Sequence, residues 1–539
     1  MENGYNNESL SQDVGTADVA ALNQLGYKQE LKREFSLFGI IAFSFSIVTS
    51  WTALSGVLIV GVQSGGAPVM IWSWIFVCLC TLAVAYSLAE LCSAYPTAGG
   101  QYCWVALLAP RNMRRGLSYV TGWFLLIGIL AMGATSHFIT ANFILGLANL
   151  NFPSFVIQRW HTVLVAWAVA LGTLVFNVFF SRLFNRISQG FLILNITSFV
   201  IVVTTILATN DDKQSASFVF SDFVNETGFP APYTAIVGLL QAAFGMCCYD
   251  SASRMTEEVK DAQRQAPRAI VMAVYIGFAT GFVFLIAACF CMSDLEAIGS
   301  TTTGVPIIEV FRQSAGRSGA TGLAMLILIV GLGASNGLTA TGGRAIFAFA
   351  RDRGLPFSDT LSKVQQSNAT PVNGLVAAVF VQMVLHAIYF GAVQGFETVI
   401  AVATEGFYVS YAIPLIARLM TLATSEPVKN IGGPYNLGRL SIPLNVIGVL
   451  YLIFTTITFN FPIFSPVTSE NMNYTSAAVG AILLIATVTW FTTGRRQYHG
   501  PQSGGVILGK GQAATVTSQS DHTRSSTDAP DEIREKAEH

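Results

Sequence analysis

Charge is what this sequence has least of. Asp, Glu, Lys and Arg supply 11% of its 539 residues, where a soluble globular chain carries about a quarter. With 52% hydrophobic residues and a mean hydropathy of +0.55, a water-soluble fold is excluded. A net charge of -1 offers no basic surface to nucleic acid. Cysteine is scarce too, and all eight fall in apolar stretches or at their ends, so neither a disulfide framework nor a metal site is expected. No nucleophile–base pair, HExxH or phosphate-binding loop appears, which argues against an enzyme and against any cofactor. Nor is there a nucleotide-binding cassette, so any transport must draw on an ion gradient. The first 35 residues lack the apolar core of a signal peptide.

Long apolar runs are what the chain has in plenty. A spanning helix needs roughly 20 mainly apolar residues. That ruler gives twelve spans, at about 37–62, 68–89, 117–148, 163–180, 187–209, 233–254, 269–292, 318–350, 372–390, 396–418, 442–460 and 476–493. Residues 1–36 and 494–539 are expected as disordered cytoplasmic tails around a transporter domain at 37–493. With the N-terminus inside, only Arg159, Lys213, Arg312 and Arg317 of the 29 Lys and Arg face outward, and that bias sets the topology. The sequons at Asn225 and Asn473 then face outward, the second close to the last span. Those at Asn7, Asn195 and Asn368 are cytoplasmic or in the membrane and are expected to be silent.

Two spans look breakable. The sixth passes from an apolar stretch ending near Met246, through Gly245-Met-Cys-Cys-Tyr-Asp-Ser-Ala-Ser253, into a charged loop. Asp250 sits at the change. Backbone opened inside a bilayer must line a cavity or find protein partners, so this stretch reads either as a polar-solute site or as an unbroken helix whose acid has reached the surface. The first span has no charge but carries Ser44, Ser46, Thr49, Ser50, Trp51, Thr52 and Ser55 before Gly56. Its hydroxyls suit back-bonding in a continuous helix or an unwinding near Ser46–Ser50. In the second case a half-helix starting near Trp51 would aim its N–H groups at a carboxylate. The carbonyls left by the break would suit an ammonium. Glu405, about ten residues into its span, is either a proton-coupling group, a partner for a substrate ammonium or a protonated acid bonded to a neighbouring helix. His137 and His386 read as lone packing histidines.

The second span runs into Ser87-Leu-Ala-Glu-Leu-Cys-Ser-Ala-Tyr-Pro-Thr-Ala-Gly-Gly-Gln-Tyr-Cys-Trp104, which resembles the AEL-x-SAYP-x-x-GG-x-Y signature of the amino acid–polyamine–organocation (APC) superfamily. YDSASRMTEEVKDAQRQAPRAI from Tyr249, Gly343-Arg-Ala-Ile-Phe-Ala-Phe-Ala-Arg-Asp-Arg-Gly-Leu-Pro356 and Gly406-Phe-Tyr-Val-Ser-Tyr-Ala-Ile-Pro414 resemble its fungal amino acid/choline branch, in family order. The resemblance implies an all-α, five-plus-five inverted-repeat fold, with spans 11 and 12 peripheral and the substrate between broken spans 1 and 6. Two departures stand out. Ser, Thr and Trp replace the glycine-rich first break, and Glu405 stands where the branch carries an aliphatic residue.

The substrate-site expectation is therefore Ser46, Thr49, Ser50, Trp51, Phe244, Gly245, Tyr249 and Asp250, with Glu405 for proton coupling. Glu90, Gly99, Gly100, Glu257 and Glu258 are expected at the cytoplasmic gate, Glu90 pairing with Arg111, Arg114 or Arg115. The expected function is a proton-coupled permease importing amino acids or amines such as GABA through the plasma or vacuolar membrane. Choline held in an aromatic cage of Trp51, Phe244 and Tyr249 is the alternative, and a nutrient sensor on the same fold is a second one.

Overall fold

A computed structural model describes residues 18–365, 370–391, 394–423, 432–468 and 471–501, apart from positions 21, 24, 26, 28 and 32. Among these, twelve helices are long and apolar enough to cross a membrane. Spans 1 to 6 are Leu37–Gly56, Gly66–Ala94, Arg114–Asn151, Arg159–Phe179, Asn185–Thr209 and Ala231–Glu258. Spans 7 to 12 are Ala262–Phe290, Pro306–Arg351, Val372–Gly391, Glu397–Thr421, Gly438–Thr458 and Thr475–Gln497. Apolar side chains such as Phe380, Leu450, Leu484 and Phe491 point away from the protein on spans 9, 11 and 12. In water that surface would aggregate; in lipid it is the solvent-facing surface.

The packing shows the inverted repeat that the sequence hides. Span 1 packs on span 7 and span 6 on span 2; span 3 packs on span 10 and span 8 on span 5; span 3 meets span 4 as span 8 meets span 9. Each pairing recurs after a shift of five spans. Span 3 forms the centre, with 83% of its apolar window buried, against 17% for span 12. Spans 3 and 10 touch backbone to backbone, because a methyl on Gly406 would lie 2.7 Å from the Gly128 Cα. Small residues are what allow such an approach where lipid supplies no hydrophobic drive.

Several boundaries move for physical reasons. The first span runs as helix Leu37–Val48, breaks at Thr49 (φ 24°), resumes at Ser50–Gly56 and ends in Leu58–Gln63. Span 8 begins twelve residues before the expected 318, with a bend at Gly316 (φ 67°). Its outer piece carries the Glu309–Arg312 ion pair, which an apolar ruler rejects. Span 3 starts at Arg114 because Arg115 reaches out to bond the Arg495 and Tyr498 carbonyls.

The N-terminal boundary drawn at 36 needs correction. Residues 1–17 lie outside the described residues, but much of the stretch from Asp18 to Phe35 is packed down. Asp18 accepts from the Asp261 and Ala262 amides at 2.7 and 3.2 Å, filling orphan donors at the start of span 7. Phe35 bridges to Val259, and Leu22, Leu25 and Tyr27 bury together against Tyr95 and Leu107. At the other end Tyr498 is buried with its hydroxyl on Ser118, while 502–539 lie outside the described residues.

Candidate functional site

Span 6 breaks where its small residues allow it. Helix Ala231–Gly245 stops, Cys248 takes a left-handed conformation (φ 65°), and a tighter 3₁₀ helix runs from Tyr249 to Glu258. Gly245 lets the two broken spans meet, since a methyl there would lie 2.9 Å from the Leu54 side chain and 3.0 Å from Trp74. A cavity of about 60 Å³ lies at this meeting point, room for roughly four to six waters or a solute of similar bulk. Thr49, Thr52, Ser136, Thr140 and the Cys247–Cys248 turn give it polar points, and Phe143 and Phe244 give it aromatic faces. No charged side chain lines it.

Of the expected substrate residues, Thr49 and Phe244 line this cavity and the others do not. Ser46 bonds back to the Ala42 carbonyl at 2.7 Å, and the buried Ser50 faces Gly277. Trp51 turns away: its indole N–H donates to Asn195 at 2.7 Å and its ring packs on Phe199 and Phe284. Tyr249 stacks towards Tyr411. Trp51, Phe244 and Tyr249 therefore do not gather around one space.

Asp250 is committed elsewhere. Its carboxylate accepts from Arg254 at 2.7 Å, Gln101 at 2.5 Å and Tyr411 at 2.6 Å, all in the protein interior. The Arg254 guanidinium lies over Phe407.

The acidic residues expected at the cytoplasmic gate form a set of ion pairs. Glu257, fully buried, takes both terminal nitrogens of Arg351 at 2.9 and 3.0 Å and the Ala98 amide at 3.2 Å. Glu258 pairs with Arg344. Glu90 pairs with Arg418 at 2.6 Å and Ser441 at 2.7 Å, not with Arg111, Arg114 or Arg115. The reason is position: Glu90 lies buried one turn from the end of span 2, facing spans 10 and 11. Gly100 adopts φ 55°, ψ -122°, a glycine conformation, and brings its loop against Ser253 of the 3₁₀ segment. Gly99 packs on the Tyr102 ring. Tyr27 and Tyr102 both donate to Asp352, and Arg351 stacks on Tyr27. Burial pushes the Asp352 carboxyl up to about 6, against the pull of Arg351 and the two tyrosines.

Glu405 is buried and meets the Asn460 amide at 3.1 and 3.2 Å, tying span 10 to span 11. His137 and His386 are not lone: their rings lie 5.7 Å apart, and His137 bonds Thr339. Asn225 is exposed, whereas Asn473 bonds the Phe459 and Phe461 carbonyls two residues before span 12.

Sequence reasoning missed several partners. Asn195, noted only as a silent sequon, holds both Trp51 and Thr49. Ser335 links Ser136 and Thr140 beside the cavity. Isolated polar residues in apolar runs were the available signal, but nothing in the sequence says which spans face each other.

Comparisons with known proteins give the chain its relatives. A family model described as amino acid permease matches residues 35–486. A putative amino acid/polyamine transporter of Macrophomina phaseolina is 59% identical over 81% of this chain and 97% of its own length. The choline transporter of Saccharomyces cerevisiae is 33% identical over 87% and 83%, and an amino-acid permease of Arabidopsis thaliana 29% over 89% and 96%.

Proposed function

The chain belongs to the amino acid permease family and is a multi-pass membrane transporter, and on that footing we propose that it imports a small amino acid or related amine such as GABA through the plasma membrane, with protons as the driving ion. The observation that carries this is the small cavity where the two broken spans meet; we read the Asp250 cluster and the ion-pair layer as its seal towards the cytoplasm. A zwitterion fits it without a charged wall. Its carboxylate would face the start of the outer half of span 1, just after Thr49, and its amine the carbonyl end of the outer half of span 6. Asp250 serves the floor in this conformation and would reach the amine only after leaving Arg254.

Glu405 is the proton-coupling group in this reading. Its described hydrogen-bond partner is an amide and no cation faces it. A carboxylate accepts from Asn460 at both oxygens; a protonated acid becomes a donor, which alters its bond to span 11. Choline is the second reading, favoured by the largely apolar walls, the Phe143 and Phe244 rings and the choline-transporting yeast relative.

Uptake of radiolabelled amino acids, GABA and choline into transport-null yeast tests both readings. The expected result is accumulation of one amino acid or GABA that stops when the proton gradient is collapsed and is lost in Glu405→Gln. Accumulation of choline alone selects the second reading. Uptake that requires sodium and ignores the proton gradient removes the proton-coupling role.

A further inference from the structure

A second cavity lies on the outer side of the first. Its walls come from the last turns of the broken first span, the outer half of span 6, the start of span 10 and the loop between spans 11 and 12. It holds about 80 Å³, and Phe244 is the residue that lines both this cavity and the central one. The two spaces therefore stand in series on the path from outside, with the Phe244 ring between them. Glu397 and Met472 on its rim are exposed, so it communicates with the outer solution.

Two of its polar groups are uncommitted. Gln241 is 2% exposed, yet neither its amide oxygen nor its amide nitrogen has a hydrogen-bond partner. That is an unusual condition for a buried amide. Its position depends on Gly61, where a methyl would collide with the Gln241 oxygen. Glu397 has no ion-pair or hydrogen-bond partner among the described residues. Gln63, Asn471 and Asn473 add neutral polar groups to the same walls.

We propose that this outer cavity is a binding site for the amine end of a small solute, with Glu397 pairing with the ammonium and Gln241 bonding the solute's polar remainder before it passes Phe244. A carboxylate without a counter-cation, at the mouth of a cavity whose buried amide has both a donor and an acceptor to offer, suits a compact molecule bearing an ammonium and a second polar group. An anion would meet Glu397 with no cation to offset it. The site shares with the transport reading only the premise that the solute carries an amine, and its existence does not depend on translocation.

The test is thermal stabilisation of the purified full chain by GABA, putrescine and ethylamine, with sodium acetate as the anion control. Ligand that binds the folded form raises the melting temperature with concentration. At least one amine should stabilise the protein and acetate should not. Glu397→Gln, a change at an exposed residue without partners, should shift the half-maximal concentration upward by about tenfold. Gln241→Leu should weaken the response too, while raising the melting temperature of the unliganded protein by removing unpaired buried atoms. Thr49→Val, in the central cavity, should leave the outer response intact. An absence of stabilisation by any of the amines, or a response unchanged in Glu397→Gln, overturns the proposal. A response abolished by Thr49→Val but not by Glu397→Gln does so too, because it assigns the binding to the central cavity. Uptake that fails while amine binding at Glu397 persists would instead count against the transport reading alone.

Discussion

Replacing Glu257 by Gln should unlock the cytoplasmic side. Glu257 is fully buried and gives both carboxylate oxygens to Arg351, with the Ala98 amide as a third donor. Glutamine keeps the shape but leaves the mostly buried Arg351 without a counter-charge. Removing one partner of a buried pair costs about 3–5 kcal/mol. Alternating access requires the layer to open towards the cytoplasm, where Arg351 would be hydrated, so the cost falls on the closed form. The closed-to-open ratio should drop by roughly 10²- to 10⁴-fold. Cys103 reports this without an introduced cysteine, being buried beside Tyr27, which bonds Asp352. In inside-out vesicles an impermeant maleimide should label Cys103 much faster in Glu257→Gln than in the wild type, with Cys103→Ser as background. Pairing Glu257→Met with Arg351→Met removes both charges and should restore slow labelling, since an apolar pair carries no unpaired charge. Equal labelling rates in wild type and Glu257→Gln would refute the assignment of this pair as a lock.

Asn225→Gln should remove a glycan-dependent band shift, while Asn473→Gln should leave the gel pattern unchanged, because Asn473 sits against the start of span 12. Trp51→Ala loses a buried ring and its bond to Asn195, at about 3–5 kcal/mol; it should lower the amount of folded protein in a detergent stability assay without changing the order of competing substrates in uptake. Asp352, raised to about 6 from 3.8, binds its proton more tightly in the folded state. Its contribution therefore favours the folded form most below about pH 4 and declines as pH rises to about 6, by about 3 kcal/mol over the window. Wild type should lose stability over that interval relative to Asp352→Asn, measured by thermal unfolding at fixed pH steps.

Apolar length and the scarcity of charge within the runs were enough to place the twelve spans, because a bilayer leaves a chain few ways to bury its backbone. They misplaced the ends where a charge is carried inside the helix, as at Arg115 and at the Glu309–Arg312 pair. Both breaks were legible from Ser46–Ser50 and Gly245–Ser253, since runs of small and polar residues in lipid have few other uses. The direction of each side chain was not. Trp51 and Tyr249 flank the breaks in sequence yet face other helices. Their partners Asn195 and Tyr411 lie 144 and 162 positions away, and only the packing of spans 5 and 10 brings them near.

The residues that carry the family resemblance also explain why the substrate stays hidden. Ala98 and Gly100 of the second-span motif cradle Glu257 and Ser253 of the sixth. Arg344, Arg351 and Asp352 of the GRAIFAFARDRGLP stretch hold Glu258, Glu257 and Tyr102. Tyr411 of the tenth-span motif holds Asp250. Every one of these contacts lies in the ion-pair layer or the Asp250 cluster, which on our reading must open and close whichever solute is carried. The cavity wall is made instead mostly of Ile, Val, Leu, Ala and Met, with two Phe rings, the Cys247–Cys248 turn and a few hydroxyls, residues that any apolar span supplies. Charge pairs at fixed spacing leave a mark in sequence because few residue types can make them; a shaped apolar wall leaves none. For this chain, therefore, the ion-pair layer leaves its mark in the sequence, and the choice of solute must be read from the cavity.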